Sequence, residues 1–477
     1  MRTIDVAPLH LADLASHLDE VATRRLRDGV EAAHGLLDGR TVWTVTPNAS
    51  AGSGPAEIVA PIVGYAIEQG IDARWLILDA PAEFLTISAR LHAGIHGDRG
   101  DGGRLGEKQR DIYEHVLSSN AENVEGVRDG DVVILHDPPT AGLARFFKAA
   151  GATVVWRCHL GTQDAGEAGQ HAWAFLDRYL EDTDLTVVSC EEYRPPFTEV
   201  ERCAVIPPSI NPDSPKNQVL GLDEAWSVAR LSGVFAGEPP FEAVPFVRED
   251  GRPDAIRATA DAAGQVTGVN LPVPLGSRVV TQVSRWDPLK GMEELVEVFA
   301  AHLADLPEDT HLLLVGPQPD PDREAQAQRV LEEVLEAVDL LPRSAARRVH
   351  VAAIPARDRE VNAVTVNALQ RVSTVVTQRS LVEAFGLTVA EAMWKKAPVV
   401  ASAVGGIRDQ VEDGLTGCLV DPGDGAAWAS AVSSLLLFPE RAGEMGQAAH
   451  ESVRRSFLPD RHMLQLIDVL AQAIDIT

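Results

Sequence analysis

The sequence predicts an α/β protein with two Rossmann-like domains that face each other across a cleft. The chain has 477 residues, more than one hydrophobic core usually organises. From Arg40 onward, short β-branched runs alternate with helical stretches, which is typical of parallel strands joined by crossover helices. The alternation stops between about Pro207 and Gly276, where proline, glycine and charged residues are dense, and then restarts. The break therefore separates two domains of the same class.

Four segments follow from this pattern. Residues 1–39 are predicted to form an N-terminal helical extension, because apolar residues recur there at three- and four-residue steps. Residues 40–215 form the first Rossmann-like domain, 216–276 a linker or insertion, and 277–477 the second Rossmann-like domain with C-terminal helices. No chemistry is assigned to residues 235–272. The expected strands contain the runs RTVWTV, ARWLILD, DVVILH, TVVWRCH and DLTVVS, then SRVVTQVS, HLLLVG, RVHVAAI, STVVTQ, PVVAS and GCLV.

The acidic composition limits the partners that the chain can bind. Its 42 basic and 70 acidic side chains leave a net charge of −28, which repels nucleic acid and anionic lipid. The sequence has neither an apolar run of about 18 residues nor the hydrophobic core of a signal peptide, so a cytoplasmic protein is expected. The four cysteines lack the C-x-x-C spacing of a zinc or redox site and are interpreted as buried thiols.

A glycine-rich turn follows the first strand of the first domain, in TPNASAGSGPAEIVAP. Gly52 and Gly54 precede a helix that is expected to begin at Pro55, a favoured first helical residue. Exposed backbone amides in such a turn can hold an anion or a sugar hydroxyl. A purely structural turn is the alternative, and the spacing matches neither a G-x-G-x-x-G fingerprint nor a Walker loop.

Two basic residues follow the first strand of the second domain, in VSRWDPLKG. Arg285 lies at the strand end and Lys290 near the start of a helix. Their charges could converge on one diphosphate. From the spacing alone, a solvated surface pair remains an equal alternative.

The strongest pattern is EAFGLTVAE, which joins the strand STVVTQ to a helix. Glu383 lies in the loop, where it can meet a sugar, and Glu391 lies about a turn and a half into the helix, where it can reach a ribose. The backbone amides of Phe385, Gly386 and Leu387 are expected to point from the helix N-terminus toward phosphate oxygens, assisted by the helix dipole.

These motifs together resemble the retaining glycosyltransferases of the GT-B fold. Within that group they are similar to trehalose synthases, which join a nucleotide-activated glucose to free glucose. The resemblance extends from about Val42 to the C-terminal region and also rests on WRCHLGT, LHDPP, VIPPSINPDSPKN and GGIRDQVEDGLTGCLV. It implies that the first domain binds the acceptor and the second the nucleotide-sugar donor.

The resemblance also implies roles for individual residues of the donor side. Arg285 and Lys290 would bind the donor diphosphate, and Glu391 would bond the ribose. Glu383, with the amides of residues 385–387, would orient the donor sugar. Ala384 and Val382 depart from the glycine and arginine common at those positions, so contacts to the donor sugar are expected to differ.

Histidines of the first domain are implied to lie near the reacting centre. His159, at the end of TVVWRCH, matches a histidine that touches the donor sugar, although a lone histidine is more often structural. His136 and Asp137 in LHDPP are expected to line the acceptor side. The glycine loop is less glycine-rich than in the family, and Leu-Gly-Thr replaces an Ile-Asp pair after His159. Both departures fall on the acceptor side.

The implied reaction is transfer with retention at the anomeric carbon, from a nucleoside-diphosphate sugar to a small sugar, without metal or cofactor. Asp129-Gly-Asp131 and Asp320-Pro-Asp322 spell D-x-D but are interpreted as turns. Three alternatives stay open: a pseudo-glycosyltransferase coupling a nucleotide-linked cyclitol to an amino sugar, a nucleotide-sugar epimerase, and a non-catalytic sugar-nucleotide binder. The oligomeric state is open, with a homodimer as one candidate.

Overall fold

The computed structural model describes residues 1–49, 54–122, 126–162, 165–258, 265–321 and 324–476. Contacts between Cα atoms divide the chain into two units. The first unit comprises residues 1–211 and 457–477, and the second comprises residues 212–456. Each unit contains a largely parallel sheet with helices beside it, as the alternating sequence pattern predicts.

In the described part of the first unit, seven strands form one sheet. They are β1 (Arg2–Ile4), β2 (Val42–Thr46), β3 (Ala73–Ile77), β4 (Val132–His136), β5 (Thr153–Cys158), β6 (Leu185–Val188) and β7 (Cys203–Val205). Their order is β1-β3-β2-β4-β5-β6-β7, and β1 alone among these is antiparallel to its neighbour. Every residue of β2, β4, β5 and β6 is buried, as expected for parallel strands covered on both faces.

Helices on this sheet include a segment from the far end of the sequence. The helices before it are α1 (Leu11–Ser16), α2 (Glu20–Leu37), α3 (Gly54–Glu68), α4 (Ala82–Ile95), α5 (Glu107–Glu122), α6 (Ala144–Ala149) and α7 (Gly166–Leu180). The C-terminal helix Pro459–Ile476 buries Val469 and Leu470 in the same apolar cluster as Val132 and Leu185. This packing explains why residues 457–477 belong with the first unit.

The second unit carries its own sheet and a separate hairpin. Its strands are β8 (Ala243–Val247), β9 (Pro253–Arg257), β10 (Thr267–Val269), β11 (Arg278–Val283), β12 (Thr310–Pro317), β13 (Val349–Ile354), β14 (Val375–Gln378), β15 (Val399–Ser402) and β16 (Cys418–Val420). The sheet order is β10-β13-β12-β11-β14-β15-β16, while β8 and β9 pair only with each other within the described ranges. β10 is antiparallel to β13, and the other pairings in this sheet are parallel.

The helices of this unit lie before, between and after its strands. They are α8 (Leu222–Leu231), α9 (Met292–Ala301), α10 (Ala325–Leu340), α11 (Arg343–Ala346), α12 (Arg359–Val372), α13 (Leu387–Trp394), α14 (Ile407–Gln410), α15 (Gly425–Leu437) and α16 (Pro439–Ser456), and the C-terminal helix of the first unit is α17. None of the helices in the described ranges combines the length and apolar character that crossing a bilayer requires.

Residues 235–272, to which the sequence assigned no chemistry, contribute to the core of the second unit. Val244, Phe246 and Ile256 of the hairpin are buried in one apolar cluster with residues of α8 and α12. Arg248 fastens the hairpin to α12, since a guanidinium nitrogen lies 2.6 Å from a carboxylate oxygen of Asp358. The described part of this segment is therefore a structural element of the second unit.

Strand order marks where each sheet is expected to bind a ligand. In the second unit the chain runs outward from β11 through β12 to β13 and then returns to β14 on the other side of β11. In the first unit the same reversal falls between β2 and β4. Parallel α/β sheets bind ligands at the carboxyl ends of the strands beside such a switch point. The loops after β11, β14 and β4 are therefore the expected ligand-binding positions.

Candidate active site

The loop after β11 turns tightly before α9. The carboxylate of Asp287 accepts a hydrogen bond of 3.0 Å from the Leu289 amide and so starts a short 3-10 turn over Pro288–Lys290. Gly291 ends that turn with a positive φ of 61°. A Cβ atom at Gly291 would collide with the carbonyl oxygen of Arg379, in the loop after β14. Glycine therefore allows the two loops to approach closely, which fixes the position of Lys290.

Lys290 and Glu383, predicted separately from two motifs, form an ion pair at the switch point. Lys290 Nζ lies 2.7 Å from Glu383 Oε2, and both side chains are largely buried. Ser380 Oγ donates a second hydrogen bond, of 3.0 Å, to the same carboxylate oxygen. The backbone joins the loops as well, because the Leu381 amide donates to the Leu289 carbonyl at 2.9 Å. The sequence did not predict this direct contact.

Arg285 lies in the same loop but in a different environment. Its side chain is 58% exposed, and its guanidinium lies 3.6 Å from a carboxylate oxygen of Asp287. An exposed pair at this distance contributes little to stability. Arg285 is therefore held loosely, and its convergence with Lys290 on one anion remains a prediction.

The N-terminus of α13 lies directly beside Glu383. Gly386 precedes the helix with a φ of 91°, and a Cβ atom there would lie 3.2 Å from Glu383 Cγ and 3.0 Å from Ile407 Cγ1. Gln410 of α14 donates a hydrogen bond to the carbonyl oxygen of the buried Phe385. Glycine has no side chain to cap the first helical amides, which lack partners within a helix. The N-terminus of α13, which has no side-chain cap, therefore lies beside the loop that carries Glu383.

Glu391, in α13, is 2% exposed, and its two carboxylate oxygens lie in different surroundings. Its Oε1 lies 3.2 Å from Lys216 Nζ, whereas its Oε2 is buried and has no hydrogen-bond partner among the described residues. Buried polar atoms without a partner are uncommon, so this oxygen is a candidate contact for a ligand. Lys216 lies in the run VIPPSINPDSPKN, in which no local signal distinguishes this lysine. Its contact with Glu391 depends on tertiary folding, which a sequence pattern does not contain.

In the first unit, His136 and His159 are hydrogen-bonded at the carboxyl ends of adjacent strands β4 and β5. His136 Nδ1 lies 2.9 Å from His159 Nε2, and the rings stack with centroids 5.2 Å apart and an interplanar angle of 8°. Burial lowers the pKa of both imidazoles well below its usual range, so both rings are neutral near pH 7. The remaining ring nitrogen of His159, Nδ1, is buried without a hydrogen-bond partner among the described residues.

Asp137 joins this histidine pair from a strained backbone position. Its φ of 64° is unusual for a residue other than glycine, and its Oδ1 accepts a hydrogen bond of 2.8 Å from the His159 amide. Burial raises the pKa of Asp137 to about 7. Backbone strain of this kind concentrates at functional sites. The structure thus brings the predicted residues His136, Asp137 and His159 together.

The glycine loop predicted in the first unit lies only partly within the described residues. Gly52 lies outside the described residues, and Gly54 is the first residue of α3. Binding by this glycine loop therefore remains a prediction.

The first D-x-D sequence ends in an aspartate that is engaged by internal hydrogen bonds. Asp131 is buried and accepts hydrogen bonds from the Thr41 amide at 2.9 Å, the Arg128 amide at 3.0 Å and Trp43 Nε1 at 3.1 Å. This carboxylate has a structural role. Asp322 lies outside the described residues. Across the described ranges, no three His, Cys, Asp or Glu side chains are grouped so that they could hold a metal ion.

Comparison with known proteins relates both units to sugar-transferring enzymes. Residues 47–195 match the family "Trehalose synthase, N-terminal domain", and residues 277–437 match "Glycosyl transferases group 1". The trehalose synthase of Pyrococcus horikoshii is 31% identical over 462 residues, covering 96% of this chain and 95% of that protein. The trehalose synthase of Rubrobacter xylanophilus is 30% identical over 472 residues, covering 98% of this chain and 97% of its own.

Solved structures of low sequence identity share the fold. The α,α-trehalose-phosphate synthase (UDP-forming) of Burkholderia vietnamiensis aligns with a TM-score of 0.65 at 15% identity, over 91% of this chain and 99% of that one. The sucrose-phosphate synthase of Thermosynechococcus elongatus aligns with a TM-score of 0.58 at 20% identity, over 90% and 97%. The predicted GT-B class, an α/β protein with two Rossmann-like bodies, is thereby confirmed.

Proposed function

Because this chain belongs to the trehalose synthase family of glycosyltransferases, we propose that it transfers glucose from a nucleoside-diphosphate glucose to a small sugar acceptor. Free glucose is the preferred acceptor, which would give trehalose. The anomeric configuration is retained, and no metal ion or cofactor takes part. The family establishes glycosyl transfer; the donor, the acceptor and the stereochemistry are the proposal.

The observation that carries the proposal is the ion pair of Lys290 and Glu383 beside the N-terminus of α13. A diphosphate at the switch point would meet the Lys290 ammonium and the first amides of α13, two groups that both favour negative charge. Glu383, held by Ser380 Oγ, would accept hydrogen bonds from hydroxyls of the donor sugar. Arg285 is exposed and loosely paired, so it is available to bind the diphosphate as well.

The nucleoside end of the donor is assigned to Glu391. A buried carboxylate oxygen without a hydrogen-bond partner is costly, and donors on a ligand would remove that cost. The hydroxyls of a ribose are such donors. Glu391 lies in the helix whose N-terminus faces the proposed diphosphate, so one helix would contact two successive parts of the donor.

The acceptor side is assigned to the histidine pair of the first unit. Because both imidazoles are neutral, His136 and His159 share one proton in their hydrogen bond, and His159 Nδ1 is left to contact a sugar hydroxyl. Asp137 holds the backbone of His159 and so limits the positions of the ring.

We propose that bond exchange occurs on one face of the sugar. The bond between the anomeric carbon and the diphosphate oxygen breaks, and the acceptor oxygen forms its bond to that carbon from the same side. The acceptor proton passes to an oxygen of the leaving phosphate. Lys290 and the α13 amides would stabilise the charge that develops on that phosphate. Glu383 is engaged by Lys290 and Ser380, which favours a positioning role over covalent attack.

The experiment that tests this function incubates the chain with UDP-, ADP-, GDP- and dTDP-glucose, each with and without free glucose, in EDTA. Nucleotide release is followed, and any disaccharide is identified by NMR. An α,α-linked disaccharide that forms only with glucose present supports the proposal. Donor binding without glucose transfer would favour the cyclitol-coupling or non-catalytic alternatives, and a changed sugar nucleotide without acceptor would favour an epimerase. Activity that depends on added metal would contradict the metal-independent reaction.

A further inference from the structure

We propose that Lys216 is a positioning residue of the donor site, which holds the Glu391 carboxylate so that its second oxygen can accept hydrogen bonds from the donor ribose. This inference rests on the proposed function, since it assigns a further residue to the same nucleotide site. Lys216 precedes α8 and belongs to none of the motifs to which donor binding was assigned. Its Nζ lies 3.2 Å from Glu391 Oε1.

The segment that carries Lys216 is fixed to the helices beside the site. Asn367 Nδ2 of α12 donates to the carbonyl oxygens of Pro215, at 3.2 Å, and Gln218, at 2.9 Å. Trp394 Nε1 of α13 donates to the Asn217 carbonyl at 3.3 Å. The backbone on both sides of Lys216 is therefore held by the two helices, one of which carries Glu391. A lysine on a segment held in this way loses less backbone freedom when it pairs with a carboxylate than a lysine on a loose loop.

A second lysine nearby cannot replace Lys216. Lys395 Nζ donates to Asn217 Oδ1 at 2.9 Å and to the backbone carbonyl of Glu391 at 3.1 Å, so it supports the segment and the helix instead of the carboxylate. Complete burial also lowers the pKa of Lys395 well below its usual range. The side chain of Lys216 is 23% exposed and remains in contact with water. Among the described residues, Lys216 is thus the cation whose ammonium contacts the Glu391 carboxylate directly.

The proposed role of Lys216 follows from the different contacts of the two carboxylate oxygens of Glu391. The ammonium engages Oε1 and so limits rotation of the carboxylate. The buried Oε2 keeps its acceptor capacity, because no described residue donates to it. An ionised carboxylate only accepts hydrogen bonds, so the matching ligand must donate them. Adjacent hydroxyls on a ribose satisfy that requirement, whereas a dideoxyribose does not.

The test compares affinities for ribose and dideoxyribose nucleotides by isothermal titration calorimetry. ADP, UDP and GDP are titrated beside their 2′,3′-dideoxy forms into wild type, Lys216→Met, Lys216→Arg and Glu391→Gln. We expect wild type to prefer the ribose form by about tenfold or more, the worth of a hydrogen bond to a charged group. Lys216→Met and Glu391→Gln should lose most of this preference, and Lys216→Arg should keep much of it. Combining Lys216→Met with Glu391→Gln should cause little further loss, because the two residues act as one unit.

The controls separate this inference from the proposed function. Lys108→Met removes an exposed lysine on α5 and should leave the preference unchanged. Circular dichroism checks the fold of each variant, and Lys216→Gln serves if the methionine variant does not fold. A folded Lys216→Met or Lys216→Gln protein with the wild-type preference would overturn the role of Lys216 alone. Wild type that binds none of the nucleoside diphosphates would overturn the proposed function and, with it, the role of Lys216.

Discussion

Lys290 Nζ lies 2.7 Å from Glu383 Oε2, so one contact joins the loops that follow β11 and β14. Those two strands are neighbours at the switch point of the second sheet. The pair places a positive and a negative group side by side, beside the N-terminus of α13. In a donor that carries a diphosphate and a sugar, the diphosphate would match the Lys290 ammonium and the sugar hydroxyls would match the Glu383 carboxylate.

Lys290→Ala should lower kcat/KM for glucosyl transfer on the order of a hundredfold, which corresponds to a loss of a few kcal/mol of transition-state stabilisation. The reason is that charge-assisted contacts to phosphate contribute about this much, and the variant also leaves Glu383 without its cation. Steady-state kinetics with the preferred sugar nucleotide measures the effect, and circular dichroism checks the fold. Lys108→Ala is the control for loss of a positive charge. Turnover equal to wild type would remove Lys290 from the diphosphate site.

Gly291→Ala should destabilise the protein more than Gly414→Ala. Both glycines have positive φ, so alanine strains the backbone at each by about 1 kcal/mol. A Cβ atom at Gly291 also collides with the Arg379 carbonyl, whereas at Gly414 it meets no atom within 4 Å. Urea unfolding of the two variants measures the difference in free energy of unfolding. Equal losses would show that the two loops can separate at little cost.

Leu470→Ala should destabilise the protein by about 2–5 kcal/mol, as expected for a cavity in a core. Leu470 lies in α17 and is buried in the core of the first unit, whereas Ile476 of the same helix is 53% exposed. Ile476→Ala is therefore the matched control and should change stability by less than about 0.5 kcal/mol. The midpoints of urea unfolding compare the two. A small effect at Leu470 would contradict the packing of α17 on the first sheet.

Asp137→Asn should raise stability more at pH 8 than at pH 5. Burial raises the folded-state pKa of Asp137 to about 7, whereas an unfolded aspartate titrates near pH 4. Between about pH 4 and pH 7 the folded state keeps a proton on Asp137 that the unfolded state has released. The stability that this proton contributes is lost as pH rises through about 7. Asparagine keeps the Oδ1 acceptor for the His159 amide and tolerates the positive φ.

The measurement is the free energy of unfolding of wild type and Asp137→Asn at the two pH values. The gain from the substitution should be larger at pH 8 by about 1 kcal/mol or more. The lowered pKa values of His136 and His159 have the opposite effect, because they make stability rise with pH below about 6.5. This effect is present in both proteins, so it cancels when the free energy of unfolding of wild type is subtracted from that of the variant. A gain that is the same at both pH values would show that Asp137 does not titrate in this range.

His136→Ala should lower kcat for transfer by about fivefold, the worth of one neutral hydrogen bond of about 1 kcal/mol. His136→Asn should recover part of the loss, because an amide can supply the hydrogen bond to His159 Nε2. Kinetics with varied glucose separates kcat from KM. His171→Ala, at an exposed histidine of α7, is the control. If His136→Ala were as active as wild type, His136 would have no role in positioning His159.

Local patterns predicted much of the fold because strands and helices leave a signal in adjacent residues. The run DVVILH, for example, contains β4, and STVVTQ contains β14. Residues 1–39 were predicted to be helical and do contain α1 and α2, but Arg2–Ile4 forms β1, an edge strand whose pairing with β3 depends on distant residues. The packing of α17 on the first sheet likewise depends on contacts that no local pattern records.

The candidate site shows the same limit. The motifs singled out Lys290 and Glu383, which lie in loops after strands, and Glu391, which lies in the helix after one of those loops. They gave neither the contact of Lys290 with Glu383 nor the pairing of Lys216 with Glu391. The first arises where two neighbouring strands bring their loops together, and the second where the segment before α8 packs on α12 and α13. The histidine pair is a similar case, because β4 and β5 place side by side two residues from different motifs.

The packing of α17 has a consequence for the order in which the protein can mature on the ribosome. Residues 212–456 are translated before α17, so the first sheet must wait for the whole second unit before it acquires this helix. Until then, the apolar face around Val132 and Leu185 lacks part of its cover. A nascent chain stalled within the second unit would expose that face, which is the kind of surface that chaperones recognise and that promotes aggregation.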